Sequence, residues 1–505
     1  MLSRSSRSKL ALLLFLFGHP GVAQRPEIAR IDSFVSALAD HHLFNGSILV
    51  AQQGQVIYQR SAGYADTRRR VEHADTTAFN LASLSKPLTA IAVLQLVERK
   101  KLRLDDPLVR YFPDFIYPTV TIRHLLTHTS GLPVLERQEE AYIRAHPNEL
   151  ISNRLAYQHL IEQKHALLFP AGDKWGYNNT NYILLAMLVE KVSRQPFAVY
   201  MKQQVFKPAG MSNTYVRQAG MPNTIRYTRP TMYFTRYLNV DSLDHQQFNT
   251  YYQLGSTSGP NNVISTIQDL WAFDRAFFTG KLIGKPLMAL AFAPVILNNG
   301  QAYRVGSSTR SYGLGWTIYN SKTPPVNNFV FHDGHISGLT TFLHHNLTKD
   351  QTIIFYDNRD NNPIQVMVSV SNLLNGQPPL AIERRQSLAR LYGAALVAKG
   401  VDHAMSKLAE LKDDTARYYL DELEMNRLGF DLMRAPFANH NELSLEVFKL
   451  NTLLYPKSGN TYDSYAMALA HTNRKEEAIA MYRKSIALWP ANEDGKKALQ
   501  KLVEE

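Results

Sequence analysis

The chain has 505 residues, 45% of them hydrophobic, no cysteine and a formal net charge of +12. That length predicts two or three domains, and the lack of cysteine excludes a disulfide framework, a cysteine nucleophile and a lipid-anchored cysteine. The basic excess belongs to a soluble surface: no arginine-lysine cluster interleaves with aromatics, so nucleic acid is not an expected partner.

At the N-terminus, Arg4, Arg7 and Lys9 lead into an unbroken apolar run from Leu10 to Phe17, and Gly21-Val22-Ala23 offers small residues before Gln24. This is the pattern of a signal peptide over residues 1–23, and it predicts export to the periplasm or the exterior. The run is too short to span a bilayer and no later stretch is long enough, so the mature chain is expected to have no transmembrane segment. Ile28 to Leu43 carries apolar residues at helical spacing. Ser47 to Val50 and Val56 to Tyr58 flank Gln53-Gly54 and read as a β-hairpin. Phe79 to Val93 reads as a buried helix, and Pro87, tolerated only in a first turn, places its start near Ser83. Leu102 to Pro113 is a loop carrying Asp105-Asp106-Pro107. Ile122 to Leu126 is a short helix stopped by His128-Thr129-Ser130-Gly131-Leu132-Pro133, a segment taken as a turn that holds its lobe together. Helices follow at Tyr182 to Val192, Phe197 to Phe206 and Asp269 to Phe278. Short β-rich runs fill Phe329 to Asn358, and Pro363 to Leu374 is helical.

Strands at both ends with helices between predict an α+β fold over residues 24–376: an antiparallel sheet flanked by helices, plus an all-helical lobe. Gln377-Pro378-Pro379 opens a linker over 377–394, and 395–505 form an all-α repeat domain. There Phe448, Tyr455 and Pro456 recur 34 residues later as Tyr482, Trp489 and Pro490, the period of the tetratricopeptide repeat. Tyr462, Ala466, Leu469, Ala478 and Tyr482 fall at its packing positions. Leu428-Gly429 sits early, which implies a longer loop around Ala435 to Asn441. Such repeats can cap the preceding domain or offer a surface to a protein partner.

The chemistry centres on Ser83-Leu84-Ser85-Lys86. A spacing of three puts a hydroxyl and an amine on one helix face, where they can act as nucleophile and proton acceptor, with the serine at the positive end of the helix dipole. Tyr177 and Asn179, in a loop entering a helix, can point into one cleft. A phenol beside an ammonium can act as base or proton shuttle, and an amide can orient the lysine and bind a substrate carbonyl. His332-Asp333-Gly334-His335, followed by Ser337-Gly338, lets another backbone approach a strand edge, whose amide could join that of Ser83 in an oxyanion hole. His332 could bind a carboxylate or help proton transfer. No Gly-x-Ser-x-Gly elbow, His-Glu-x-x-His helix or phosphate loop is present. The adjacent pairs His41-His42 and His344-His345 project apart. Neither a metal nor a cofactor is expected.

In this order the motifs resemble the serine β-lactamase and penicillin-binding-protein superfamily, in its class C-like branch of D,D-peptidases and esterases, from about Ile28 to Leu374. Ser83-Leu84-Ser85-Lys86, Tyr177-Asn178-Asn179 and His332-Asp333-Gly334 match its three motifs. Asp105-Asp106-Pro107, His128-Thr129-Ser130-Gly131-Leu132, Pro208-Ala209-Gly210-Met211, Ser265-Thr266 with Asp269-Leu270, and Tyr312-Gly313-Leu314-Gly315-Trp316 agree with the branch. The resemblance implies a serine hydrolase in which Ser83 is acylated by a small peptide, ester or β-lactam. Lys86 and Tyr177 would share the general-base work, and Asn179 would position Lys86 and substrate. The amides of Ser83 and His335 would form the oxyanion hole. His332 would stand where class C β-lactamases carry a lysine, and a histidine is mostly neutral at pH 7. The resemblance thus favours a D-alanyl-D-alanine carboxypeptidase-like peptidase or esterase over a β-lactamase. An inert binding or sensor module working through the repeats is the remaining alternative, against which the intact Ser83, Lys86, Tyr177 and Asn179 argue.

Overall fold

The computed structural model describes residues 26–41, 43–66, 70–134, 142, 145–146, 149–217, 257–306, 309–320, 328–336, 339–358, 363–381, 383, 385–433, 435 and 438–504. The leader-like stretch, His42 and Ser337-Gly338 lie outside them.

The described residues open with helix α1 (Pro26–Asp40) and the hairpin β1 (Gly46–Gln52) and β2 (Gln55–Ala62). Strand β3 (Ala78–Asn80) precedes helix α2 (Ser85–Glu98), then come helices α3 (Ile122–Leu126), α4 (Asn153–Glu162) and α5 (Asn179–Ser193). Strand β4 (Tyr215–Val216), strand β5 (Val263–Thr266) and helix α6 (Ile267–Phe278) complete the lobe. The chain returns to the sheet with β6 (Arg310–Tyr312), β7 (Thr317–Asn320), β8 (Asn328–Ile336), β9 (Leu339–Asn346) and β10 (Gln351–Asp357), closed by helix α7 (Pro363–Leu374). The main sheet is seven-stranded and antiparallel, in the order β2-β1-β10-β9-β8-β7-β6. Its centre joins the two ends of the domain, with Gly46 opposite Asp357 and Gln52 opposite Gln351.

Both faces of this sheet are covered, so its central strands are apolar throughout rather than alternating. Ile48, Val50, Phe342, Ile353 and Phe355 face one way, onto Ile31, Val35 and Leu38 of α1 and Val366 and Val370 of α7. Leu49, Leu343, Ile354 and Tyr356 face the other way, into the core built by α2, α5 and α6. Helix α2 lies inside that core, buried without a break from Ser85 to Leu96. A helix apolar all round has no solvent face to show. The apolar stretch from Phe79 opens as a strand and becomes helical only beyond it, in keeping with the start near Ser83 that Pro87 indicated. Phe79 pairs with Ser265 in a small sheet of β3, β5 and β4, and the helix begins at Ser85 after one 3-10 turn, with Pro87 in its first turn. The adjacent histidines 344 and 345 do project apart. His344 lies beside Phe329, while His345 Nδ1 meets Asp274 Oδ1 at 3.1 Å and its ring stacks on Phe278.

Beyond α7 the described residues are mainly helical from Leu388, earlier than the expected 395, with Ser387 Oγ accepting from the Arg390 N–H. Leu388–Lys399 packs on Val401–Leu411, Glu422–Met433 on His440–Leu454, and Gly459–His471 on Lys475–Leu488. Two sites 34 residues apart repeat one geometry: Tyr455 and Trp489 each end a helix and donate their N–H to the carbonyls of Asn451 and Ser485, at 2.9 and 2.7 Å. Tyr462, Ala466, Leu469, Ala478 and Tyr482 are all buried. The connection after Met433 is longer than that after His471.

The packing around α2 sets a stability prediction. Leu94→Ala, at a fully buried site, should lower the free energy of unfolding by about 2–5 kcal/mol. Val503→Ala, at an exposed terminal position, should change it by less than about 0.5 kcal/mol. Denaturant titration followed by tryptophan fluorescence compares the two, and equal small effects would contradict the placement of α2.

Candidate active site

Ser83 sits in the 3-10 turn Ala82–Leu84, between β3 and α2. Asn80 ends the strand by accepting the Ala82 N–H on its Oδ1 at 2.8 Å. Ala82 then adopts φ 46°, a left-handed conformation that costs a residue with a Cβ on the order of 1 kcal/mol. One turn further on, Lys86 has no solvent exposure. Its Nζ donates to Ser83 Oγ at 3.0 Å and to the Pro260 carbonyl at 3.1 Å. The chain around Pro260 is tied along the first turns of α2: Thr89 Oγ1 donates to the Gly259 carbonyl at 2.8 Å, and Ser85 Oγ accepts from the Val263 N–H at 3.2 Å.

The second motif arrives on the loop leading into α5. Asn178 caps that helix, its Oδ1 accepting from the Thr180 N–H at 2.9 Å and its Nδ2 donating to the carbonyls of Leu132 and Pro133. The cap fixes its neighbours. Tyr177 lies with its ring 4.7 Å from Lys86 Nζ, and Asn179, half-buried, is the first residue of the helix. The ring of Tyr182, from the same helix, is 5.7 Å from the amine. Such contacts favour a cation.

The third motif is strand β8, which packs against the turn bearing Ser83. A Cβ on Gly334 would lie 2.0 Å from the Leu81 carbonyl oxygen and 2.4 Å from Thr341 Oγ1, so only glycine lets the two backbones meet. Thr341 Oγ1 donates to the same carbonyl at 2.8 Å. The ladder to β7 ends at Phe331, and His335 is exposed with Nδ1 3.4 Å from Thr340 Oγ1.

His332 departs from the expectation that its ring is open to a substrate carboxylate. It is buried, its Nδ1 lies 2.6 Å from the Asp333 carbonyl and its Nε2 3.1 Å from the Tyr312 hydroxyl. A carbonyl only accepts, so Nδ1 carries the proton and Nε2 accepts from Tyr312. Burial, followed by the Lys86 charge, pushes this imidazole down to about 4 against the opposing pull of Asp333. His332 is therefore neutral at physiological pH, with both ring nitrogens engaged.

His128 is the second correction. The segment 128–132 does stitch the lobe, with the Thr129 and Gly131 carbonyls accepting from the N–H groups of Gly172 and Leu168. Its first residue, however, belongs to the site. The fully buried His128 ring lies 4.5 Å from that of Tyr177, 5.2 Å from Tyr182 and 5.1 Å from Tyr312. Burial, then Lys86 and His332, hold it well below the usual histidine range. In the sequence Tyr312 stands out only as part of a glycine-rich motif. Gly315, at φ 88°, explains that motif: a Cβ there would strike Ala90 of α2 at 2.6 Å. This close approach brings Tyr312 to the cleft, where Trp175 is 5.8 Å from it and stacks on Tyr303 at 4.8 Å. Pro260 gave no signal in the sequence, because a main-chain carbonyl is offered by every residue type.

The structure thus gathers Ser83, Lys86 and Tyr177 around one buried amine, sets Asn179 at the adjoining helix end, and lays the Gly334 strand against the serine turn. A family model described as Beta-lactamase matches residues 31–370. The chain belongs to the beta-lactamase family. Within it, the chain is 32% identical to Penicillin-binding protein 4* of Bacillus subtilis (strain 168) over 356 residues, 69% of this chain and 76% of that protein. It is 37% identical to Esterase EstB of Burkholderia gladioli over 196 residues, 36% of this chain and 50% of the esterase. Among solved structures, a penicillin binding protein from Bacillus halodurans shares the fold with TM-score 0.58 at 24% identity, covering 67% of this chain and 98% of the other. A D-amino acid amidase from Ochrobactrum anthropi SV3 does so with TM-score 0.56 at 20% identity, covering 69% and 99%. This beta-lactamase-family chain is a serine hydrolase.

Two outcomes follow from the geometry. Gly334→Ala should lower kcat/KM by about 10²-fold in protein that is still folded, because the strand must leave the serine turn; an unchanged rate would separate β8 from the site. The second concerns acid. His73 and His332 are pushed down to about 4 and His344 to about 3, burial being the first cause in each. The unfolded chain binds protons on these groups below about 6.5 while the folded chain does not. Stability is therefore complete above about pH 6.5 and is lost as pH falls toward 4. The urea midpoint should fall over that window, and His344→Phe, remote from the cleft, should flatten the fall. A midpoint independent of pH would contradict the buried neutral histidines.

Proposed function

We propose that this hydrolase works through an acyl-enzyme on Ser83 and acts on acyl compounds of the D-amino-acid type without a terminal carboxylate, esters or amides, outside the cytoplasm. The observation that carries the mechanism is the Lys86 amine, buried and 3.0 Å from Ser83 Oγ. As Ser83 attacks a carbonyl carbon, its proton passes to the Tyr177 oxygen, held as phenolate by the neighbouring Lys86 ammonium, so that the two residues share the general-base work. The oxyanion is held by the amides of Ser83 and His335, and the departing alcohol or amine takes the proton. Water, activated by the same base, then cleaves the ester and restores Ser83. Asn179 orients the amine and the substrate carbonyl.

The substrate reading rests on His332. A neutral imidazole with both nitrogens occupied by Tyr312 and its own strand supplies no cation for a terminal carboxylate. This ranks esters and amides above D-alanyl-D-alanine carboxypeptidase action, and β-lactam hydrolysis below both. The name of one relative, an esterase, accords with ester cleavage, and the leader-like N-terminus supports export.

Purified protein and its Ser83→Ala variant should be compared on a short p-nitrophenyl ester, a D-amino-acid amide, a D-Ala-D-Ala peptide and a chromogenic cephalosporin. The ester and amide should give the highest kcat/KM, lost by about 10⁴-fold in Ser83→Ala. A cephalosporin turned over faster than the ester would make the enzyme a β-lactamase. Folded protein that acylates on none of them would sink the enzymatic reading in favour of a sensor acting through its helical region.

A further inference from the structure

The chain around Tyr177 is held from both sides by one residue. The N–H of Gly176, just before the tyrosine, donates to the His128 carbonyl at 2.8 Å. The N–H of Asn178, just after it, donates to His128 Nδ1 at 3.1 Å. Asn181 Nδ2 lies 3.2 Å from the same ring nitrogen, and its own orientation is set by Ser130 Oγ donating to Asn181 Oδ1 at 2.6 Å. A ring nitrogen that accepts from a backbone N–H is unprotonated, so the imidazole is the Nε2–H tautomer. Between these two bonds its face lies on the Tyr177 ring, 4.5 Å away and tilted by 36°. To present carbonyl and ring together, His128 takes φ 59°, a conformation most residues avoid and asparagine tolerates. The strain is local and the constraint serves one side chain.

We infer that His128 is a positioning residue for catalysis: a clamp that holds Tyr177 over Lys86 by bonding the backbone on either side of it. It touches no reacting atom. Its neutrality matters as well, because a second cation at the Lys86 amine would compete for the tyrosine ring. This inference rests on the reading of Tyr177 as part of the base, and the test keeps the two apart.

The experiment measures kcat and KM for p-nitrophenyl ester hydrolysis in full-length protein carrying His128→Phe, His128→Asn, Tyr177→Phe and the double change His128→Phe with Tyr177→Phe. Thermal unfolding of each is recorded in parallel. Phenylalanine keeps the ring and loses the acceptor; asparagine places an acceptor where Nδ1 was and suits the backbone. His128→Phe should lose kcat by about 10²-fold with KM within about threefold, and His128→Asn should stay within tenfold of the parent. In the Tyr177→Phe background, His128→Phe should cost less than about threefold, since the group it positions is gone. An equal cost of His128→Phe in both backgrounds would show a merely structural role and overturn the clamp. If the phenylalanine variant does not fold, His128→Asn decides: a folded variant slower by more than tenfold overturns it. A fully active Tyr177→Phe would instead refute the role of Tyr177.

Discussion

A lysine amine without solvent exposure organises this molecule. Burying an ammonium is unfavourable unless acceptors and π faces surround it, and here Ser83 Oγ, the Pro260 carbonyl and the rings of Tyr177 and Tyr182 do so. Those partners come from regions far apart in the chain, so the site exists only when the helical lobe is packed. The same charge acts outward. It helps keep His128 and His332 neutral, leaving the Lys86 amine with aromatic rings beside it.

The scaffold supports this by rigidity. Helix α2 is enclosed by α5, α6 and the sheet, and a close-packed interior holds its side chains within narrow limits. The glycines at 315 and 334 mark where backbones touch: one lets the Tyr312 loop lie on α2, the other lets β8 lie on the serine turn. Each removes a side chain so that a functional group on the next segment can reach the cleft.

Much of this was legible in the chain itself. The hairpin near Gln53, the short helix at Ile122 to Leu126 and the helix from Pro363 to Leu374 follow from periodicity and turn residues, which are local signals. Ser83 with Lys86 was readable because a helix turns spacing into proximity, and Tyr177 with Asn179 through their family motif. The strand at Phe79 was less legible than the helix start near Ser83, since a short apolar run suits a strand and a helix equally, and its pairing with Ser265 is non-local. His128 and Tyr312 were hidden for the same reason. Nothing adjacent to them in sequence shows that they would meet. The occupied ring of His332 is likewise a product of tertiary contact with Tyr312.

The pairing of β1 with β10 has a consequence for how the molecule is made. The first strand of the sheet waits for the last, Gly46 for Asp357, with the helical lobe in between. During synthesis the sheet is left incomplete at its middle, with β1 holding an open edge until residue 357 has been added. Such distant closure predicts slow folding and a long-lived intermediate with an exposed strand edge. It also means that trimming either end of the domain removes the centre of the sheet, so shortened forms should lose the fold altogether instead of retaining a smaller version of it.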